Sequence, residues 1–238
     1  MGMGRRFRRG RQRGPGRTGC VPARPAVTTR HLGQLEEHVK RHLGPIAFVS
    51  HELDSELVHL DVLAVAPTAG RDHWTLVTSG MSDAPMQDRS CREHGPVFTY
   101  AELVMGLPAD WRFDALEDER WSWPLSLLRG MARHPHERDT WLHYRHLFTA
   151  GRGSRPEAFA PGLPFRAAFL LPPIHCPEDF WTLRVGGREI DMLGVCLLLP
   201  EEEAALRRVG HRRFVEGLDL DRFSEVLDPA RRRSAWVA

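Results

Sequence analysis

A chain of 238 residues, 42% hydrophobic and 27% charged, can bury a full core as one domain, removing about 70% of its unfolded surface. Its net charge of +2 averages two unlike parts: residues 1–24 carry eight arginines and no acid, leaving 25 bases against 31 acids elsewhere, a balance of −6. An acidic body argues against a broad nucleic-acid surface, and an apolar run no longer than Val195–Leu199 is far too short to span a membrane.

No apolar run of signal length follows the arginine-rich start. Cys20, Cys91, Cys176 and Cys196 show no CxxC spacing. They read as reduced thiols, and the expected compartment is cytoplasmic. Residues 1–27, rich in Arg, Gly and Pro, read as a disordered arm. Such an arm could tether nucleic acid or an anionic surface.

Ordered structure is expected over 28–228. Thr28 or Thr29 caps a helix carrying Leu32, Leu35 or Glu36, Val39 and Leu43, stopped by Gly44-Pro45. Ile46–Ser50 reads as a strand. Leu57–Val65 reads as another, apolar on both faces: Val58, Leu60, Val62 and Ala64 on one, Leu57, Leu63 and Val65 on the other beside His59 and Asp61. Two apolar faces suit a strand buried in mid-sheet. After a Pro67–Gly70 turn, His73–Ser79 is a third strand, leaving the sheet through Thr78-Ser79-Gly80-Met81-Ser82-Asp83.

A polar loop, 83–95, holds Cys91 and His94; Val97–Leu107 is a strand with Glu102 in its middle. Asp61 and Glu102 are thus acids inside apolar strands, and each needs a hydrogen-bonding partner or a strand edge. Pro124 reads as the first residue of a helix with Leu125, Leu128 and Ala132 on its buried stripe, broken at Pro135. Asp139–Ala150 is aromatic and histidine-rich, and 151–164 is a loop. Phe165–Leu171 and Ile190–Leu199 are strands, the second preceded by a Gly186-Gly187 turn. Pro200 and Glu201-Glu202-Glu203 open a helix ending near Arg207 and Arg208, the charge order its dipole favours. A short helix, His211–Leu218, follows, and 229–238, with Arg231-Arg232-Arg233, is expected to fray.

Few residues suggest chemistry. His59 and Asp61 alternate on one strand and could converge on a metal with Glu102 as a third ligand, as a metal-dependent hydrolase would need. No second histidine sits at a firm ligand spacing, so the pair reads first as a hydrogen-bonded histidine and acid. His134, His136, His143 and His146 crowd thirteen residues, and a helix would put His143 and His146 on one face. Ser79 and Ser82 flank Gly80-Met81 without the GxSxG spacing of a nucleophile elbow. No catalytic residue, cofactor site or metal site is assigned.

The order of motifs carries more. Trp74–Asp83, Ala101-Glu102-Leu103, Leu107-Pro108-Ala109-Asp110-Trp111, Trp123-Pro124, Asp139-Thr140-Trp141 and the strand–helix pair from Ile190 to Leu218 together resemble the suppressor-of-fused domain over roughly residues 30–220. The resemblance implies an α/β (α+β) fold: one mixed, largely antiparallel sheet packed with helices and without a catalytic centre. It implies protein binding. Animal members hold a short peptide of a zinc-finger transcription factor between two lobes, and bacterial single-domain members look like immunity proteins of polymorphic toxin systems. This chain has only the domain matching the first lobe. In the family's pattern a contact tyrosine corresponds to His134 and a contact aspartate to Arg145, with His146 retained. The expected partner surface is Asp83, His134, Asp139, Trp141, Tyr144, Arg145 and His146, and the expected partner is another protein, with no membrane and with nucleic acid only through the arm.

Overall fold

The computed structural model describes residues 31–52, 58–88, 97–149 and 157–237. The arm, the capping Thr28 or Thr29, Leu57, Cys91, His94 and the first part of the 151–164 loop lie outside the described residues.

Helix α1 (Leu32–Leu43) buries Leu35, His38, Val39 and Leu43, one face at helical spacing, and ends at Gly44, whose φ of 104° suits glycine. Then come β1 (Ile46–Ser50), β2 (Asp61–Val65), β3 (His73–Ser79), β4 (Met86–Asp88) and β5 (Val97–Pro108). Helix α2 (Glu119–Arg138) precedes β6 (Leu147–Thr149), β7 (Ala167–Leu171), β8 (Thr182–Val185) and β9 (Arg188–Leu198). Helices α3 (Pro200–Val209) and α4 (His211–Glu216) close the order.

The strands form one sheet in the order β1-β2-β3-β5-β9-β7-β6, with β4 added to β5 and β8 to β9. Every pairing is antiparallel except β5–β9, which is parallel from Tyr100↔Ile190 to Val104↔Gly194. The expected mixed, largely antiparallel α+β fold is what the chain adopts.

Strand alternation sends β2 both ways, as its sequence requires. Val62 and Ala64 join Leu76, Leu103 and Met105 in a core with Trp123, Leu125, Leu128 and Met131 of α2. Leu63 and Val65 join Val77, Val104, Ile190 and Met192 against α1. Cys196 and Leu198 share the Ile190 parity of β9 and pack with Phe169, Leu206 and Phe214. Thus α1, α3 and α4 cover one face of the sheet and α2 covers the other. The Gly186-Gly187 turn takes φ of 57° and 76°, the positive pair a two-residue hairpin needs between Val185 and Arg188.

Several expectations are corrected. β2 begins at Asp61, because the Leu60 amide bonds the Glu52 carboxylate (3.0 Å) and the Glu52 amide bonds Asp61 (3.2 Å), in place of ladder partners. Helix α2 starts five residues before Pro124, with Asp118 accepting from the Arg120 amide at 2.9 Å, and runs on through Pro135. Burial of Trp123, Pro124, Met131 and Pro135 against the sheet outweighs the lost helical bonds.

The described part of the tail packs on the domain. Glu202 is fully buried; its carboxylate caps its own helix at the Leu199 amide (2.8 Å) and takes Arg231 and the Ala235 amide (2.8 Å) from the tail. Trp236 stacks on Phe214 at 6.3 Å. An ionised carboxylate without partners at that depth would be costly, and Arg231 supplies the charge.

Candidate functional site

Glu102 explains the loop that follows β3. Val77 pairs with Val104 and Met86 with Thr99, so one strand advances nine positions while its neighbour retreats five. The extra residues loop out around the Glu102 side chain. Its carboxylate accepts from Thr78 Oγ1 (2.7 Å), the Gly80 amide (3.1 Å), the Ser82 amide (2.9 Å) and Ser82 Oγ (2.6 Å). Those four donors favour the charged form, but complete burial outweighs them and raises the pKa from 4.5 to about 7. Gly80 is required here: at φ 120° its missing Cβ would lie 1.9 Å from the His59 carbonyl oxygen. The Ser79–Ser82 loop is therefore a strut and not a nucleophile elbow.

Asp83 sits in the short 3₁₀ turn Met81–Asp83 and is buried, so it offers little surface. The turn is tied to α2 by His136 Nε2 and the Met81 carbonyl oxygen, 3.0 Å apart.

The C-terminal end of α2 then presents the segment that carries most of the expected partner residues. Asp139 (φ 50°) and Arg145 (φ 69°) are the non-glycine residues at positive φ among the described residues, and they bracket it. The Thr140 amide bonds the Pro135 carbonyl at 3.0 Å. At the other end the Arg145 amide bonds Leu170 (2.6 Å) and the Leu170 amide bonds His146 (3.0 Å), which docks the turn on β7. Between these pins Trp141 meets His146 edge-on at 5.4 Å and His143 meets Tyr144 at 5.2 Å. Tyr144 is half-buried and donates to the Met192 carbonyl at 3.2 Å; burial raises its pKa. Asp139 and Arg145 are exposed. His134 is half-buried against Phe148 at 5.5 Å, and burial lowers its pKa.

The four histidines of this region do not converge. The segment is not helical: His143 lies 3.7 Å from Asp191, His146 faces Trp141, His134 faces Phe148 and His136 is spent on Met81. His59 and Asp61 meet at 3.0 Å, as the first reading of that pair expects, and the alternative grouping with Glu102 does not form, because Glu102 is enclosed by the Ser79–Ser82 loop. A different third residue, His51, joins His59 and Asp61, their ligand atoms lying within 4.8 Å of one another. It comes from the end of the neighbouring strand, beyond the reach of any spacing rule. Among the described residues no helix is long and apolar enough to cross a membrane.

An open, largely antiparallel sheet with helices on both faces and an ordered aromatic segment at the end of α2 define an α+β domain. The family model described as Suppressor of fused protein (SUFU) matches residues 56–232, and the chain belongs to that family. Solved structures agree on the fold. A protein described as a SUFU homolog from Neisseria gonorrhoeae is 16% identical with a TM-score of 0.58, over 87% of this chain and 96% of its own. A chain of the Sufu-Fu complex is 15% identical with a TM-score of 0.60, over 87% and 92%. Drosophila Suppressor of Fused is 14% identical with a TM-score of 0.56, over 87% of this chain and 50% of that one. No curated protein sequence matches.

Proposed function

We propose that this chain works without catalysis, by holding another protein on the surface formed by His134, Asp139, Trp141, Tyr144, Arg145 and His146. The observation that carries the reading is the pair of left-handed residues, Asp139 and Arg145, that fix the segment between them. Asp139 takes its positive φ as the left-handed cap of α2, whereas Arg145 ends no helix, and a non-glycine residue held there costs on the order of 1–2 kcal/mol, a strain that persists where a fixed conformation is worth its cost. Membership of a family with a structurally similar chain in a Sufu-Fu complex supports a protein as the ligand.

Trp141, Tyr144 and His146 are the anchors on this reading, since rigid aromatic side chains dominate interface energetics. The acidic balance of −6 outside the first 24 residues favours a basic partner and speeds its approach. The finer proposal is an immunity or regulatory protein that covers a toxin domain or a regulatory factor.

The test is a photo-cross-linking residue placed at position 145, compared with one at Arg212 on α4, in cells of the native host. A discrete adduct from position 145, absent from position 212 and lost on Trp141→Ala, is expected. Indistinguishable adducts from both positions, or full retention by Trp141→Ala, would sink the assignment. For the immunity role, co-expression should rescue growth from the cognate toxin domain, and Arg145→Glu should abolish that rescue.

A further inference from the structure

The cluster of His51, His59 and Asp61 lies outside the surface above and uses none of its residues. It arises from sheet geometry. His59 and Asp61 are alternate residues entering β2 and share a face. Ser50 pairs with Val62, so the next residue, His51, falls opposite Asp61. His59 Nε2 lies 3.0 Å from Asp61 Oδ1 and His51 Nδ1 lies 3.3 Å from Asp61 Oδ2. The carboxylate is 3% exposed while the His51 and His59 side chains are 66% and 36% exposed. The anionic donor is thus held firmly at the floor, and the two nitrogens are reachable from solvent.

We propose that His51, His59 and Asp61 bind one zinc-class divalent ion, which staples the end of β1 to the start of β2. Two imidazoles and one carboxylate suit zinc, cobalt or nickel, whereas calcium and magnesium take oxygen ligands. His59 lies 3.0 Å from one carboxylate oxygen and His51 3.3 Å from the other, with one ligand atom from each residue falling within 4.8 Å of the rest, so a small inward shift reaches the roughly 3.3 Å between neighbours around a tetrahedral ion with bonds near 2.0 Å. Solvent completes the coordination on the open side. Of the nearby cations, Arg133 is paired with Glu52, whereas Arg129, held by the Ser50 carbonyl (2.8 Å) and the Leu60 carbonyl (3.2 Å), keeps its charge near Asp61, so the ion binds against one positive neighbour. Glu52 also bonds the Leu60 amide (3.0 Å), so this neighbouring acid braces the chain between the two histidines.

The test uses the full chain, freed of metal, titrated with Zn²⁺ by calorimetry and with Co²⁺ by absorption. One equivalent of zinc should bind, with a Co²⁺ spectrum of nitrogen and oxygen ligation and no thiolate charge-transfer band. His51→Ala and His59→Ala should each weaken zinc by about tenfold or more, while His211→Ala, an exposed histidine on α4, should leave it unchanged. Zinc should raise the melting temperature of the wild type and not of His51→Ala, whose metal-free melting should match the wild type. A wild-type chain that takes up no zinc at about 0.1 mM, a thiolate band, or unchanged affinity in both histidine variants would overturn the site.

Discussion

Two buried carboxylates of the same sheet face opposite fates. Glu102 is closed in by its own chain, its donors coming from the end of β3 at Thr78 and from the loop at Gly80 and Ser82. Asp61 is almost as deeply placed, yet two of its neighbours are histidines open to water. Depth alone therefore does not separate a structural acid from an exchangeable one; what matters is whether its partners are enclosed with it, as the hydroxyls and amides around Glu102 are, or open to water, as His51 and His59 are. Stability should depend on Glu102, and ligand response on Asp61.

The largest break in that contrast should come from Glu102→Ala. It strands the Gly80 and Ser82 amides and two hydroxyls in the core, for an expected loss of about 3–5 kcal/mol in urea unfolding. Acidity gives the next effect. Because the folded carboxyl titrates near 7 against 4.5 for the ordinary value, the native state holds more protons between those limits. Its contribution to stability is present below about 4.5 and is lost as pH rises through about 7, on the order of 3 kcal/mol in all. Glu102→Gln should flatten that slope in chemical unfolding followed across the same pH range.

Gly80→Ala should cost about 2–3 kcal/mol through the clash with the His59 carbonyl, read as a lowered denaturation midpoint with an unchanged slope. Asp61→Asn should cost only about 1 kcal/mol without metal, since its amide oxygen can still accept from the Glu52 amide. His51→Ala should fall within about 0.5 kcal/mol of the wild type, so that any larger change with zinc present reports the ion.

Much of this was legible in the residues. The double-faced pattern of β2 gave its mid-sheet position, the Gly186-Gly187 pair gave the β8–β9 hairpin, and Asp61 and Glu102 announced a need for partners. What was hidden depended on pairings across the chain. The looped-out residues after Ser79 become visible only once the registers of β3 and β4 on β5 are compared. His51 faces Asp61 across a strand pair, so no linear spacing connects them. Arg231 looks like part of a solvated run until Glu202, on the buried face of α3, is seen to require it. The prolines of α2 signal a start and a stop by propensity, and packing overrules both.

The single parallel pairing, β5 with β9, has a consequence for assembly. On either side of it strands mostly meet antiparallel neighbours, whereas Tyr100 and Ile190 stand ninety positions apart in the chain. Closing so wide a loop costs entropy before any bond repays it. Loop-closure cost therefore predicts that the two ladders join late, leaving β5 and β9 each with a raw margin open to another strand until they do.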